Sequence, residues 1–214
     1  MFAIYYSCVF ICFLASLFVY KYNKGLQIFP LMTGLIVVVE AIVGILSRVY
    51  VTNPFWLYHF FIPVYACFMA YFFYHIIPEQ KTRRILLVAV AAYVLTSLYL
   101  SFFFYQFTDF PGLSLNMSGF ILISFSMYAL LTLESVHNIP IYKHPIAWIC
   151  MGMIVFYTGT FFLNGVYNYL VVSKSQTRIL IHSIINNGLN CFMYSCFTVG
   201  LICSHRLKKY TKPV

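Results

Sequence analysis

Acid is nearly missing from this sequence: across 214 positions only Glu40, Glu79, Asp109 and Glu134 carry a carboxylate, and charged residues of both signs make up 8%. A soluble domain has roughly a quarter of its residues charged, so this scarcity excludes an ordinary water-exposed surface. Long polar connections are missing too. The longest is "YQFTDFPGLSLN", which leaves no room for a separate soluble domain. No cysteine falls in a predicted loop: Cys8, Cys12, Cys67, Cys150, Cys191, Cys196 and Cys203 all lie in or at the ends of apolar runs. Neither a disulfide framework nor a CxxC metal site is therefore expected. No Lys or Arg precedes the first apolar run, and "KYNKG" rather than a small-residue cleavage site follows it, so it reads as a helix and not as a signal peptide.

What is present is hydrophobicity, 63% of all residues, in long continuous runs. Crossing a hydrocarbon core of about 30 Å takes roughly 20 helical residues. Runs of that order span 2–20, 26–47, 55–77, 85–104, 118–133, 146–170 and 179–203. They lack the alternation of β-barrel strands, and continuous apolar segments satisfy their backbone in lipid only as helices. The expected fold is all-α, a single seven-helix transmembrane domain over 1–214.

The net charge of +9 is distributed as a membrane protein distributes it, so nucleic acid is not an expected partner. Lys21, Lys24, Lys81, Arg83, Arg84, Lys143, Arg206, Lys208, Lys209 and Lys212 follow odd-numbered runs, while Arg48, Lys174 and Arg178 follow even-numbered ones. By the positive-inside rule the N-terminus is outside and the C-terminus cytoplasmic. The basic tail "SHRLKKYTKPV" then reads as an anchor to anionic lipid, with docking of a cytoplasmic signalling partner as the sharper alternative.

Polar residues inside the runs are few and patterned. In "ILIHSIINNGLNC" a polar arc about 140° wide collects His182, Ser183, Asn186, Asn187 and Asn190, continued by Tyr194. The sixth run places Tyr157, Thr160, Asn164, Tyr167 and Asn168 on one face, and the second holds Glu40 on a face with Thr33, Gly44 and Ser47. A mid-helix carboxylate costs several kcal/mol unless it is protonated, paired or hydrated, which makes Glu40 the most informative residue. In the third run Pro63 removes the hydrogen bond to the carbonyl of His59. His59 and His182 fall about one turn below the outer ends of their helices, Asn164 between one and two turns, and Glu40 about 12 Å down at roughly 1.5 Å per residue. Their agreement in depth points to one polar pocket in the outer half, formed by Glu40, His59, Asn164, His182, Asn186, Asn187 and Asn190. The competing reading is a structural network that orients the helices.

The stretches "TNPFWLYHFFIPVY", "IAWICMGMIVFYTGTFFLNGV" and "ILIHSIINNGLN" resemble a group of small bacterial seven-helix membrane proteins with no assigned activity. The resemblance implies a seven-helix protein of the bacterial inner membrane and draws attention to His59, Asn164 and His182, but implies no chemistry. Microbial rhodopsins need a lysine in the last helix for retinal, and none lies between Arg178 and the cytoplasmic end. Ceramidase-like hydrolases need HxxxH there, whereas Asn186 stands four residues after His182. The expected function is receptor-like or sensory binding of a small molecule or lipid. The alternatives are an intramembrane metal-dependent hydrolase using Glu40, His59 and His182, or a small transporter. Haem between the two histidines is not expected.

Overall fold

The structure, a computed structural model, describes residues 2–19, 24–49, 54–136, 140–172 and 176–210. Lys21, His137, Lys174 and Lys212 lie outside the described residues, as do the side chains of Arg48, Glu134, Tyr167, Asn168, Arg178, Arg206, Lys208 and Lys209. Seven α-helices occur among the described residues: α1 (Phe2–Val19), α2 (Phe29–Val49), α3 (Trp56–Ile76), α4 (Gln80–Phe103), α5 (Gly112–Val136), α6 (Pro145–Val172) and α7 (Gln176–Tyr210). Short 3-10 turns, Gly25–Ile28 and Ile141–Lys143, precede α2 and α6, and no strand is found among the described residues.

Proline sets several boundaries. Ile77 and His144 each precede a proline and are extended, at ψ 122° in both cases, because the pyrrolidine ring pushes the preceding residue out of helical space. Pro78 thereby closes α3, whereas Pro145 opens α6 at its first position, where no amide hydrogen bond is lost.

Five segments are long and apolar enough to cross a membrane: Gly25–Ser47, Trp56–Ile76, Gln80–Phe103, Gly112–Leu133 and Pro145–Gly165, with Ile4–Phe18 shorter but apolar. α7 is the longest helix at 35 residues, and its His and Asn residues dilute its hydropathy. Large apolar side chains cover the outside: Phe18, Leu95, Phe103, Phe120 and Leu131 are 70–75% exposed. Such a surface is unfavourable in water and ordinary against lipid tails. The fold is therefore all-α and of membrane type.

The helices close a ring in which α1 packs on α2 and α7, α7 on α6, α6 on α5, and α3 on α5 and α2, while α4 packs outside against α3 and α5. Glycines set the tightest seam. A Cβ on Gly152 would stand 2.8 Å from Cys196 Cβ, one on Gly159 2.6 Å from Leu189, and one on Gly200 2.7 Å from the Pro145 carbonyl oxygen. The missing side chains at these points let α6 and α7 approach closely, most strictly at Gly200, where the neighbour is backbone. One end of the ring is filled by aromatics: Phe29 meets Phe72 edge-on at 5.3 Å and Phe197 at 5.6 Å, all fully buried.

Candidate functional site

The other end of the ring is hollow. A cavity of about 560 Å³ lies between the start of α1, the end of α2, the starts of α3 and α5, the middle of α6 and the earlier half of α7. That volume falls within the roughly 300–1,000 Å³ usual for small-molecule sites.

Each wall follows from helical spacing. On α2, Ile36, Glu40, Val43, Gly44 and Ser47 recur every three or four residues and line the cavity. Tyr58, Ile62 and Tyr65 do the same on α3, and Ser183, Asn186, Asn187, Asn190 and Tyr194 on α7. Tyr5 and Tyr6 come from α1, Tyr157 from α6, and Phe110 from the connection before α5. Gly119 of α5 accommodates Tyr157, whose ring would lie 2.7 Å from an added Cβ.

Glu40 is held by a phenol. Tyr58 Oη donates to Glu40 Oε1 at 3.3 Å, and Tyr5 lines the cavity with it. On α7, Asn190 Nδ2 donates to the carbonyl of Asn186 at 2.9 Å. The carboxamides of Asn186 and Asn187 make no hydrogen bond to another described residue and face the cavity with donors and acceptors available.

Of the residues singled out by sequence, Glu40, Asn186, Asn187 and Asn190 come together on this cavity. His182 precedes the lining residue Ser183 and is only partly buried. Asn164 reaches across to α5 instead, its Nδ2 donating to Asn116 Oδ1 at 2.9 Å. His59 does not line the cavity either. It is buried, with Nε2 2.9 Å from the Asp109 carbonyl and Nδ1 2.8 Å from Ser101 Oγ. A carbonyl only accepts, so Nε2 carries the proton and donates, and Nδ1 in the neutral ring accepts from the Ser101 hydroxyl. The rings of Tyr105 and Phe107 meet the imidazole edge-on at 5.9 and 5.4 Å. His59 is thus a strut holding the α4–α5 connection, whose Phe110 packs on Phe55 and Tyr58.

Glu40, His59 and His182 do not converge: among the described residues no group of three His, Cys, Asp or Glu side chains is placed to hold a metal ion. Toward the filled end, Ser124 and Ser126 donate to carbonyls of their own helix at 2.9 and 2.7 Å, which uses their donors locally.

The tyrosines of the cavity were legible only in part. Tyr157 and Tyr194 fall on the polar stripes of their helices, but Tyr5, Tyr6, Tyr58 and Tyr65 do not stand out, because tyrosine is equally at home in packing. The available signal was the Tyr58, Ile62, Tyr65 spacing, which defines a different face of α3 from the one through His59. No family model matches the chain, and no curated protein or solved structure matches it.

Proposed function

We propose that the chain is a seven-span membrane protein that binds a small molecule or lipid in this cavity, in the manner of a receptor or sensor. The observation that carries this reading is the placement of Glu40 and the uncommitted carboxamides of Asn186 and Asn187 around one cavity of ligand size. A network serving only to orient helices would satisfy those amides with protein groups, as Asn164 and Asn116 satisfy each other. The orientation follows from charge. Lys24, Lys81, Arg83, Arg84 and Lys143 lie near the starts of α2, α4 and α6, at the end away from the cavity, so that end faces the cytoplasm and the cavity faces out. The resemblance of three helices to small bacterial proteins makes the inner membrane the expected location. With no long connection among the described residues, a signal would pass to a separate partner at the cytoplasmic face.

Native mass spectrometry of gently extracted protein tests the reading. Wild type is expected to retain a bound mass that Glu40→Gln and Asn187→Ala lose while their helical circular dichroism stays unchanged. If the same masses stay with all three proteins, the cavity is not the binding site. Labelling of single introduced cysteines at positions 24 and 110 tests orientation, since only position 110 is expected to react from outside.

A further inference from the structure

Resting on that reading, we infer that the cavity takes an organic ammonium ion, an amine or quaternary ammonium group on an apolar body. Among the described lining residues Glu40 is the sole carboxylate, and Lys, Arg and His are absent. Any charge the described part of the wall carries is therefore negative, and a ligand that matches it brings one positive charge.

The surroundings of Glu40 are aromatic on two sides. On one, Tyr58 donates to the carboxyl and meets Phe110 at 5.9 Å, with Phe55 beyond at 5.8 Å. On the other, Tyr5 lines the cavity with Glu40 and meets Tyr6 at 5.3 Å and Tyr194 at 6.2 Å. The Tyr58 phenol donates to Glu40 and so holds it as an acceptor. An ammonium group is attracted to aromatic faces by their quadrupole and to a carboxylate by its charge, and the attraction grows when water is excluded. An anionic ligand is repelled by the Glu40 charge, and a neutral hydroxyl gains from the carboxylate only a hydrogen bond, without the full charge pairing and the attraction to the aromatic faces. Asn186 and Asn187 on α7 remain to hydrogen-bond a hydroxyl or carbonyl elsewhere on the ligand.

An ammonium group can arrive on a free amine or on a lipid headgroup. The test uses full-length protein in phosphatidylglycerol nanodiscs, titrated with 2-phenylethylammonium, 2-phenylethanol and phenylacetate, which share one shape and differ in charge. The cation is expected to bind roughly tenfold tighter than the alcohol, with the acid weakest. Glu40→Gln should bring cation and alcohol level, and Tyr58→Phe, which keeps the ring, should reduce the preference only partly. Weakening of the alcohol titration as well as the amine titration when phosphatidylethanolamine replaces phosphatidylglycerol would assign the headgroup as the occupant, since loss of the anionic surface weakens only the cation, and an unchanged alcohol titration a free amine. Binding of the alcohol or acid as tightly as the cation, or a cation preference that survives in folded Glu40→Gln, overturns the inference and leaves the cavity a binding site. Failure of all three compounds to bind wild type at millimolar concentration overturns the inference, while the binding-site reading stands or falls with the retained mass.

Discussion

Glu40 and Glu79 each accept a hydrogen bond from a tyrosine, Tyr58 at 3.3 Å and Tyr128 at 2.9 Å, yet they stand at opposite ends of the bundle in opposite surroundings. Glu79 sits in the turn between α3 and α4, open to solvent, and also accepts from Thr82 at 2.7 Å. Beside it Arg83 donates to the Ile77 carbonyl at 2.6 Å and lies over the Tyr74 ring. This is a solvated helix start whose polar groups answer one another. Glu40 lies in the apolar middle of α2, facing a cavity where its phenol partner leaves space unfilled. The same end-to-end contrast runs through the packing. Where Phe29, Phe72 and Phe197 meet, the bundle is filled, and where Glu40 and the α7 asparagines meet it is hollow. The filled end buries its aromatics tightly, and the hollow end keeps the polar groups of Glu40, Asn186 and Asn187 around open space.

Two glycines of α7 test that division most severely. Gly200 has the Pro145 backbone oxygen 2.7 Å from where a Cβ would stand, and Gly188 has nothing within 4 Å. Gly200→Leu is expected to cost at least roughly 3 kcal/mol, since backbone cannot move aside as a flexible side chain can. Gly188→Ala should be neutral or gain up to about 1 kcal/mol of helix propensity. Reversible unfolding in mixed micelles measures both, and equal effects at the two positions would erase the contrast between the ends. A smaller loss, roughly 1–3 kcal/mol, is expected for His59→Leu, which leaves the Asp109 carbonyl and Ser101 without their partner. Hydrogen exchange should rise in the α4–α5 connection and not in α6, and unchanged exchange there would refute the strut role.

The slightest effect belongs to Glu79. Hydrogen bonds from Thr82 and then Tyr128 hold its carboxyl below the ordinary value of 4.5. A lowered folded value favours the folded state above the ordinary one, so the contribution is complete above pH 4.5 and disappears as the pH falls through the lowered value. Melting temperatures of wild type and Glu79→Gln should therefore differ slightly at pH 6 and converge toward pH 3. Curves that run parallel throughout would show that Glu79 contributes nothing through its charge.

Hydropathy located every helix but misjudged several ends. It placed the fourth run at 85–104 and the seventh at 179–203, whereas α4 begins at Gln80 and α7 runs to Tyr210. Hydropathy reports the apolar stretch, and a helix continues past it through exposed charged residues such as Lys81 and Arg84. α5 begins at Gly112 rather than 118 because Ser114 and Asn116 are polar yet helical, engaged with Ser97 and Asn164. In the site, periodicity identified Glu40 and the α7 asparagines because apolar neighbours isolate them. It could not place His59. Adjacent helix positions point about 100° apart, and only the packing of α3 shows that Tyr58 rather than His59 turns to the cavity.

The strut formed by His59 also bears on time. Phe110, one wall of the cavity, is one residue beyond the carbonyl that the imidazole holds, so the wall and its tether are almost the same piece of chain. That wall can swing aside only if the adjoining Asp109 carbonyl moves with it, so any motion at Phe110 keeps step with the making and breaking of the His59 contact.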